Sequence, residues 1–526
     1  MKILLHHLIL QTAIETPDGL ALVEKKSRLN YGELAERTST FADGLCHLGL
    51  QKQERVAIFL PKNVDNVIGM FGATAAGGVM VPINPVLKPP QVQHIIHDSG
   101  AAVLVTSSDR LKLMGDALAN CETLRTVIVT DNKTPEIDAH FDIVAIDALD
   151  GTTSQKHRVI DTDIAALMYT SGSTGKPKGV ILSHRNMVAG AESVATYIGN
   201  RSDDRILCAL PLSFDAGFSQ VSTAFWSGAA AILHDYFLPK GTLKVTEEEK
   251  ITGITAVPPL WMQLSELDWP DSVKQRIRYF ANTGGKMPRT LLNKLREHFP
   301  SAKPYLMYGL TEAFRSTYLP PSEVDNRPDS IGKAIPNAEI MVARPDGTEC
   351  DVDEPGELVH RGALVGLGYW RDPERTAQRY KPSPGQSADV PTTELAVWSG
   401  DTVRRDADGY LYFVGRKDDM IKTSGYRVSP TDLEESLYAS GIVSEAGAFG
   451  VDDHALGQRI VVCLVAREGV ETPEKALQQY CRKELPSYMV PSEYIWHDAL
   501  PRNPNGKIDR ATIARTLADR EQEPKA

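Results

Sequence analysis

The sequence predicts an α/β protein of two unequal parts. A large N-terminal part is built on parallel β-sheet and ends in a small β-rich subdomain; a smaller α+β part follows. Three observations carry this expectation. Apolar strand patterns alternate with amphipathic helix patterns from residue 30 onward. The 526 residues exceed what one hydrophobic core encloses. After about residue 340 the texture changes to short strands, such as "GELVHRG" and "DGYLYFVGR", set among Gly- and Asp-rich turns.

Taken in order, the opening "MKILLHHLILQTA" resembles a leader peptide, but His6 and His7 interrupt its apolar run and no small-residue cleavage site follows. An amphipathic helix is expected there. From Asn30, residues Tyr31, Leu34, Thr38, Phe41, Leu45 and Leu48 fall on one helical face. Asn30 and Glu33 form a capping pair and Gly49 is placed to end the helix. "RVAIFL" (55–60) then reads as a buried strand, "VDNVIGMFGATAAGG" as a helix, "VMVPI" as a strand, "PPQVQHIIHDSG" as a helix and "AAVLVTS" as a strand. The alternation is expected to run to about residue 340. A charged, glycine-bearing segment, "GRKDDMIKTSGYR" (415–427), marks the expected boundary, dividing the chain into 1–417 and 418–526.

Composition narrows the function. A net charge of −11 argues against nucleic acid as the main ligand, because phosphate-backbone binding needs a basic face. The longest uncharged stretch, around "VIGMFGATAAGGVMVPINPVL", is broken by glycines and prolines, so no membrane span is expected. The six cysteines are scattered without a C-x-x-C pair, which fits a reducing cytoplasm and suggests neither a zinc site nor a disulfide framework.

The first chemistry-bearing stretch is "YTSGSTGKPKG" (169–179). Glycines let backbone N–H groups line an anion, and lysine adds charge. The P-loop spacing fails, since Gly172 and Gly175 are three apart and Lys176 precedes Pro177. "GVILSH" beyond it is a β-branched run, so the unit is strand, loop, strand.

Four further stretches stand in order behind this loop: "YGLTE" (308–312), "WSGD" (398–401), "GRKDDMIKTSGYR" and "PRNPNGKIDR" (501–510). Together the five resemble the AMP-forming acyl-CoA synthetase, adenylation-domain and luciferase superfamily over the chain from about residue 30 to its end. The resemblance implies ATP-dependent activation of a carboxylic acid to an acyl-adenylate, with release of pyrophosphate, then transfer to the thiol of CoA or of a carrier protein's phosphopantetheine. It places Thr170, Ser171, Gly172, Ser173, Thr174, Gly175 and Lys178 on the β- and γ-phosphates. It puts Tyr308 against adenine, Thr311 on the α-phosphate and Glu312 on Mg²⁺. Asp401 and Arg416 receive the ribose, and backbone at Gly284 and Gly285 borders the nucleotide and acyl pockets. Asp418 is the implied hinge, Gly425 approaches the thiol arm, and Lys507 bridges carboxylate and α-phosphate.

Bare residue chemistry reads several of these positions otherwise. Asp401 suits a turn, Tyr308 a core and Glu312 a solvated helix. For the acid itself, "LPLSFDAGFSQ" (210–220) matches the acyl-pocket segment. Phe214 and Asp215 there resemble amino-acid-activating members, whose aspartate pairs with the substrate ammonium, yet Asp215 also stands where a helix N-cap is expected. The cap is the favoured reading. Val257, Pro258 and Trp261 either wall the pocket or belong to the core. An acid:CoA ligase is the leading expectation and a stand-alone enzyme loading a carrier protein the second. A catalytically silent nucleotide-binding scaffold is the alternative of another class. Luciferase-like oxidation and amide formation share the fold, and fold does not decide function.

Overall fold

The computed structural model describes the chain except residues 132, 136–138, 153–155, 171–176, 286, 288, 388, 417–420, 429, 468, 471–472, 502–507, 509 and 523–526. Asn30 opens the helix Tyr31–His47 as its neighbours dictate: its side chain accepts the Glu33 N–H while the Glu33 carboxylate accepts the Asn30 N–H. Gly49 follows in the left-handed conformation, at φ 77°. The expected succession then holds through strand Arg55–Phe59, helix Val64–Ala75, strand Val79–Pro82, helix Pro89–Ser99 and strand Ala101–Thr106. Arg55–Phe59 pairs in parallel with both other strands. The opening helix covers only His7–Glu15.

Two large sheets result. In one, the strands Leu20–Glu24, Ala230–Leu233, Arg205–Cys208, Gly253–Ala256, Tyr279–Asn282 and Lys303–Tyr308 pair in parallel. Beyond Tyr308 the pairing turns antiparallel through Thr317–Leu319, Ser330–Ala334, Leu411–Arg416, Leu395–Arg405 and Gly356–Gly362. The expectation that parallel alternation runs to about residue 340 is therefore corrected. Residues 309–316 are too few for the crossover of about a dozen residues that a parallel neighbour requires.

The helices Tyr31–His47, Val64–Ala75, His184–Ile198 and Asp215–Ser227 share one buried apolar core with residues from both sheets. Phe71 stacks on Phe218 at 5.7 Å and meets Phe225 edge-on at 5.4 Å. Each such ring contributes about 1.5–3 kcal/mol by leaving water. This core fixes the position of Asp215, at the start of the last helix.

From Ile421 the chain builds a third sheet with its own buried core. Its strands are Ile421–Thr423, Tyr426–Val428, Val443–Asp453, Gly457–Ala466 and Glu493–Trp496. Among the described residues no helix is long and apolar enough to cross a membrane. All six cysteines are unpaired thiols, five of them buried.

Candidate active site

The strands Ile164–Thr170 and Lys178–Ser183 lie antiparallel with Thr170 opposite Lys178, so the strand, loop, strand reading of the glycine-rich stretch holds. The loop positions Ser171, Gly172, Ser173, Thr174 and Gly175 lie outside the described residues. Its two ends face one cavity of about 230 Å³. Thr170 Oγ1 is buried there and makes no hydrogen bond among the described residues.

Lys178 leads into a compact polar cluster. Its Nζ donates to the Tyr369 hydroxyl at 2.9 Å and sits 3.6 Å from Glu312 Oε1, and Tyr369 in turn donates to Glu312 at 2.6 Å. Burial alone would raise the Glu312 carboxyl, but Lys178, Arg379 and the Tyr369 hydrogen bond hold it down to about 2. Glu312 is thus a buried, ionised carboxylate on the cavity wall rather than a solvated helix residue. It stands in the 3-10 turn Thr311–Ala313. Sequence reasoning missed Tyr369 and Arg379. Tyr369 arrives through the short strand Gly368–Tyr369, which pairs with Lys178–Ser183 across nearly two hundred residues, and no local pattern announces that pairing.

The same cavity is lined by Phe214, Asp215, Val257, Gly284 and Thr311. The N-cap reading of Asp215 is corrected: Phe214 occupies the cap position without a side-chain bond, and Asp215 is the first helical residue. One residue inside the helix, its carboxylate turns into the cavity, where Thr311 Oγ1 donates to it at 3.4 Å. Gly217 explains the tight approach, since a Cβ there would fall 1.9 Å from the Pro211 carbonyl oxygen. Trp261 belongs to the core, with its indole N–H donating to the Ala281 carbonyl.

The turn reading of Asp401 is corrected. It lies within strand Leu395–Arg405, 1 % exposed, opposite Arg416. Tyr308 donates its hydroxyl to Asp401 at 2.5 Å. Tyr308 also lines an adjoining cavity of about 450 Å³ with Asn282, Gly284 and Gly285. The Arg416 side chain, Asp418 and Lys507 lie outside what the structure describes. Gly425 lines both cavities. Its φ is 80°, and a Cβ there would stand 2.8 Å from Val257 Cγ2. Phe214 packs edge-on against Tyr426, which stacks on Tyr488 at 3.8 Å. The C-terminal sheet thereby closes one wall of the 230 Å³ cavity.

Residues 10–370 match the AMP-binding enzyme family, and residues 432–507 match the AMP-binding enzyme C-terminal domain. The chain belongs to the AMP-binding enzyme family. Among relatives of this AMP-binding enzyme, a component of the linear gramicidin synthase of Brevibacillus parabrevis is 30% identical over 97% of the chain, which spans 10% of that relative's length. The L-proline--[L-prolyl-carrier protein] ligase of Pseudomonas fluorescens is 30% identical over 98% of the chain and 99% of its own length. A double mutant of the o-succinylbenzoate CoA synthetase of Bacillus subtilis, bound with a product analogue, OSB-NCoA, is 26% identical with a TM-score of 0.81, covering 97% of this chain and 98% of that one. The same synthetase in complex with the acyl-adenylate intermediate OSB-AMP gives a TM-score of 0.67 at 26% identity, over 96% and 97% of the chains. The overall arrangement of this AMP-binding enzyme is therefore more similar to the double-mutant structure than to that acyl-adenylate complex.

Proposed function

We propose that this chain uses ATP to activate a small carboxylic acid as its acyl-adenylate, releasing pyrophosphate, and then passes the acyl group to the thiol of a phosphopantetheine arm. One observation carries the reading. A single cavity joins an ionised Glu312 paired with Lys178, an acid-side wall at Asp215, and Gly425 from the C-terminal sheet. An anionic carboxylate attacking a polyanion needs positive charge over both partners as charge moves to the leaving group.

Lys178, with Thr170 and the loop 171–175, holds the β- and γ-phosphates. Thr311 contacts the α-phosphate. Glu312 fits Mg²⁺, since that ion is held by one or two carboxylates plus phosphate oxygens, and a buried carboxylate kept ionised is such a ligand. The ion, when bound, neutralises charge on the departing pyrophosphate. Tyr308, Asp401 and Arg416 position the nucleoside, with Gly284 and Gly285 as backbone floor. Lys507, a long flexible cation, bridges the carboxylate and α-phosphate. Division at 417/418 with Asp418 as hinge lets the C-terminal part exchange Lys507 for Gly425. Likeness to the product-analogue form supports taking the present arrangement as the thiol-accepting one. CoA is the leading acceptor; likeness along the whole chain to a prolyl-carrier ligase favours a carrier protein as the second. Six unpaired thiols support a reducing, cytoplasmic setting.

ATP–pyrophosphate exchange against fatty, aromatic and amino acids tests the reading, with Lys507→Ala as control. Exchange stimulated by one class and lost in the variant is expected. Bound ATP with no exchange for any acid would return weight to a silent scaffold.

A further inference from the structure

We propose that Arg315 determines specificity by reading a second acidic group on the substrate, so that the acids activated are dicarboxylic, with or without an α-amino group. This rests on the acid-activating reading above and names its substrate class.

Arg315 is 2 % exposed and lines the 230 Å³ cavity. Its Nη1 donates to Thr283 Oγ1 at 2.6 Å, while its Nε is buried without a partner. Among the described residues no carboxylate pairs with it. Elsewhere this fold supplies one: Arg278 is held by the fully buried Asp204, and Arg205 by Glu249 at 2.8 Å. A buried cation without a counter-ion costs several kcal/mol. The cost is met when a ligand brings the missing charge.

The backbone is shaped to present this group. Phe314, just before it, adopts φ 56° and ψ −57°, a conformation L residues rarely take. Its ring is fully buried against Gly190, where a Cβ would fall 2.3 Å from Phe314 Cδ1. The strained turn sends Phe314 to the core and Arg315 to the cavity. With Nη1 engaged by Thr283, the guanidinium retains its Nε–Nη2 edge, the pair of parallel donors that matches a carboxylate bidentately. A neutral acceptor could bond there but would leave the charge uncompensated. Asp215 on the same cavity wall suits an α-ammonium where the acid carries one.

The test is ATP–pyrophosphate exchange by the full chain on matched pairs: straight-chain dicarboxylic acids against their mono-methyl esters, and aspartate and glutamate against asparagine and glutamine. For at least one pair, kcat/KM is expected to favour the diacid by roughly 10²-fold or more, the scale set by leaving a buried polar group without its partner. In Arg315→Leu, KM for that diacid should rise by a similar factor while values for the neutral partner stay within about twofold, and Arg315→Lys should recover part of the preference. The wild-type comparison decides even if Arg315→Leu does not fold. Exchange as strong with the neutral-tailed partners as with the diacids overturns this inference and leaves acid activation standing. Absence of exchange with any acid, with ATP bound, overturns the acid-activating reading and this inference with it.

Discussion

Tyr369 connects a cation to an anion through its hydroxyl. It accepts from Lys178 and donates to Glu312. Because the folded Glu312 carboxyl lies at about 2, below its ordinary 4.5, the stability it contributes is fully present above pH 4.5 and is lost as pH falls through about 2. Tyr369→Phe keeps the ring's volume and removes the hydrogen bond to the ionised form. We expect the variant to be less stable than wild type by about 1.5–3 kcal/mol at pH 7, a deficit that shrinks as the pH is lowered towards 2. Urea unfolding at pH 7 and at pH 3 reads this directly; a deficit equal at both values would detach the hydroxyl from the carboxylate's charge. Adenylation at pH 7 should fall in the same variant.

At the scale of elements, the helix Asp215–Ser227 brings Asp215 to the cavity with its first turn lying close against the Pro211 carbonyl. Gly217→Ala puts a methyl group 1.9 Å from that oxygen, so the helix start must shift. Neither partner is a flexible side-chain tip. Expected are a melting temperature lowered by several degrees, corresponding to roughly 1–3 kcal/mol, and a raised KM for the acid with KM for ATP little changed. An equal rise in both would place the damage outside the acid wall. Thr311, which donates to Asp215, lies in a turn whose short reach makes the next strand antiparallel. This turn and the residues just after it thus bring Thr311, Glu312 and Arg315 to the lining of a single cavity.

Across the whole molecule, the C-terminal part completes the cavity wall through Gly425, Tyr426 and Tyr488. Gly425→Leu introduces bulk where even a Cβ meets Val257 at 2.8 Å, and does so at a positive φ. Docking in the present arrangement should weaken while the alternative one is spared. ATP–pyrophosphate exchange is expected to stay within about threefold of wild type, while thioester formation from preformed acyl-adenylate falls by roughly 10²-fold or more. Lys507→Ala is expected to do the reverse. Identical losses of both half-reactions in the two variants would argue against a C-terminal part that alternates between them.

Much of this was legible in the residues themselves. The capping pair at Asn30, the 3.6-residue periodicity and the β-branched runs are local signals, and local backbone physics obeys them. The five ordered motifs pointed to the family through their resemblance to it, whereas the bare chemistry of single positions such as Asp401 and Glu312 read them otherwise. The sequence by itself therefore determined the order of the early elements and the family. Tertiary structure alone decided which residues share a cavity. Tyr369 reaches Lys178 only through a strand pairing across nearly two hundred residues. Asp401 proved to be a buried strand residue and Asp215 a cavity carboxylate one position inside its helix. The want of a counter-ion at Arg315 among the described residues follows from what is packed around it. Burial and charge pairing are sums over neighbours brought together by topology, and no window along the chain contains them.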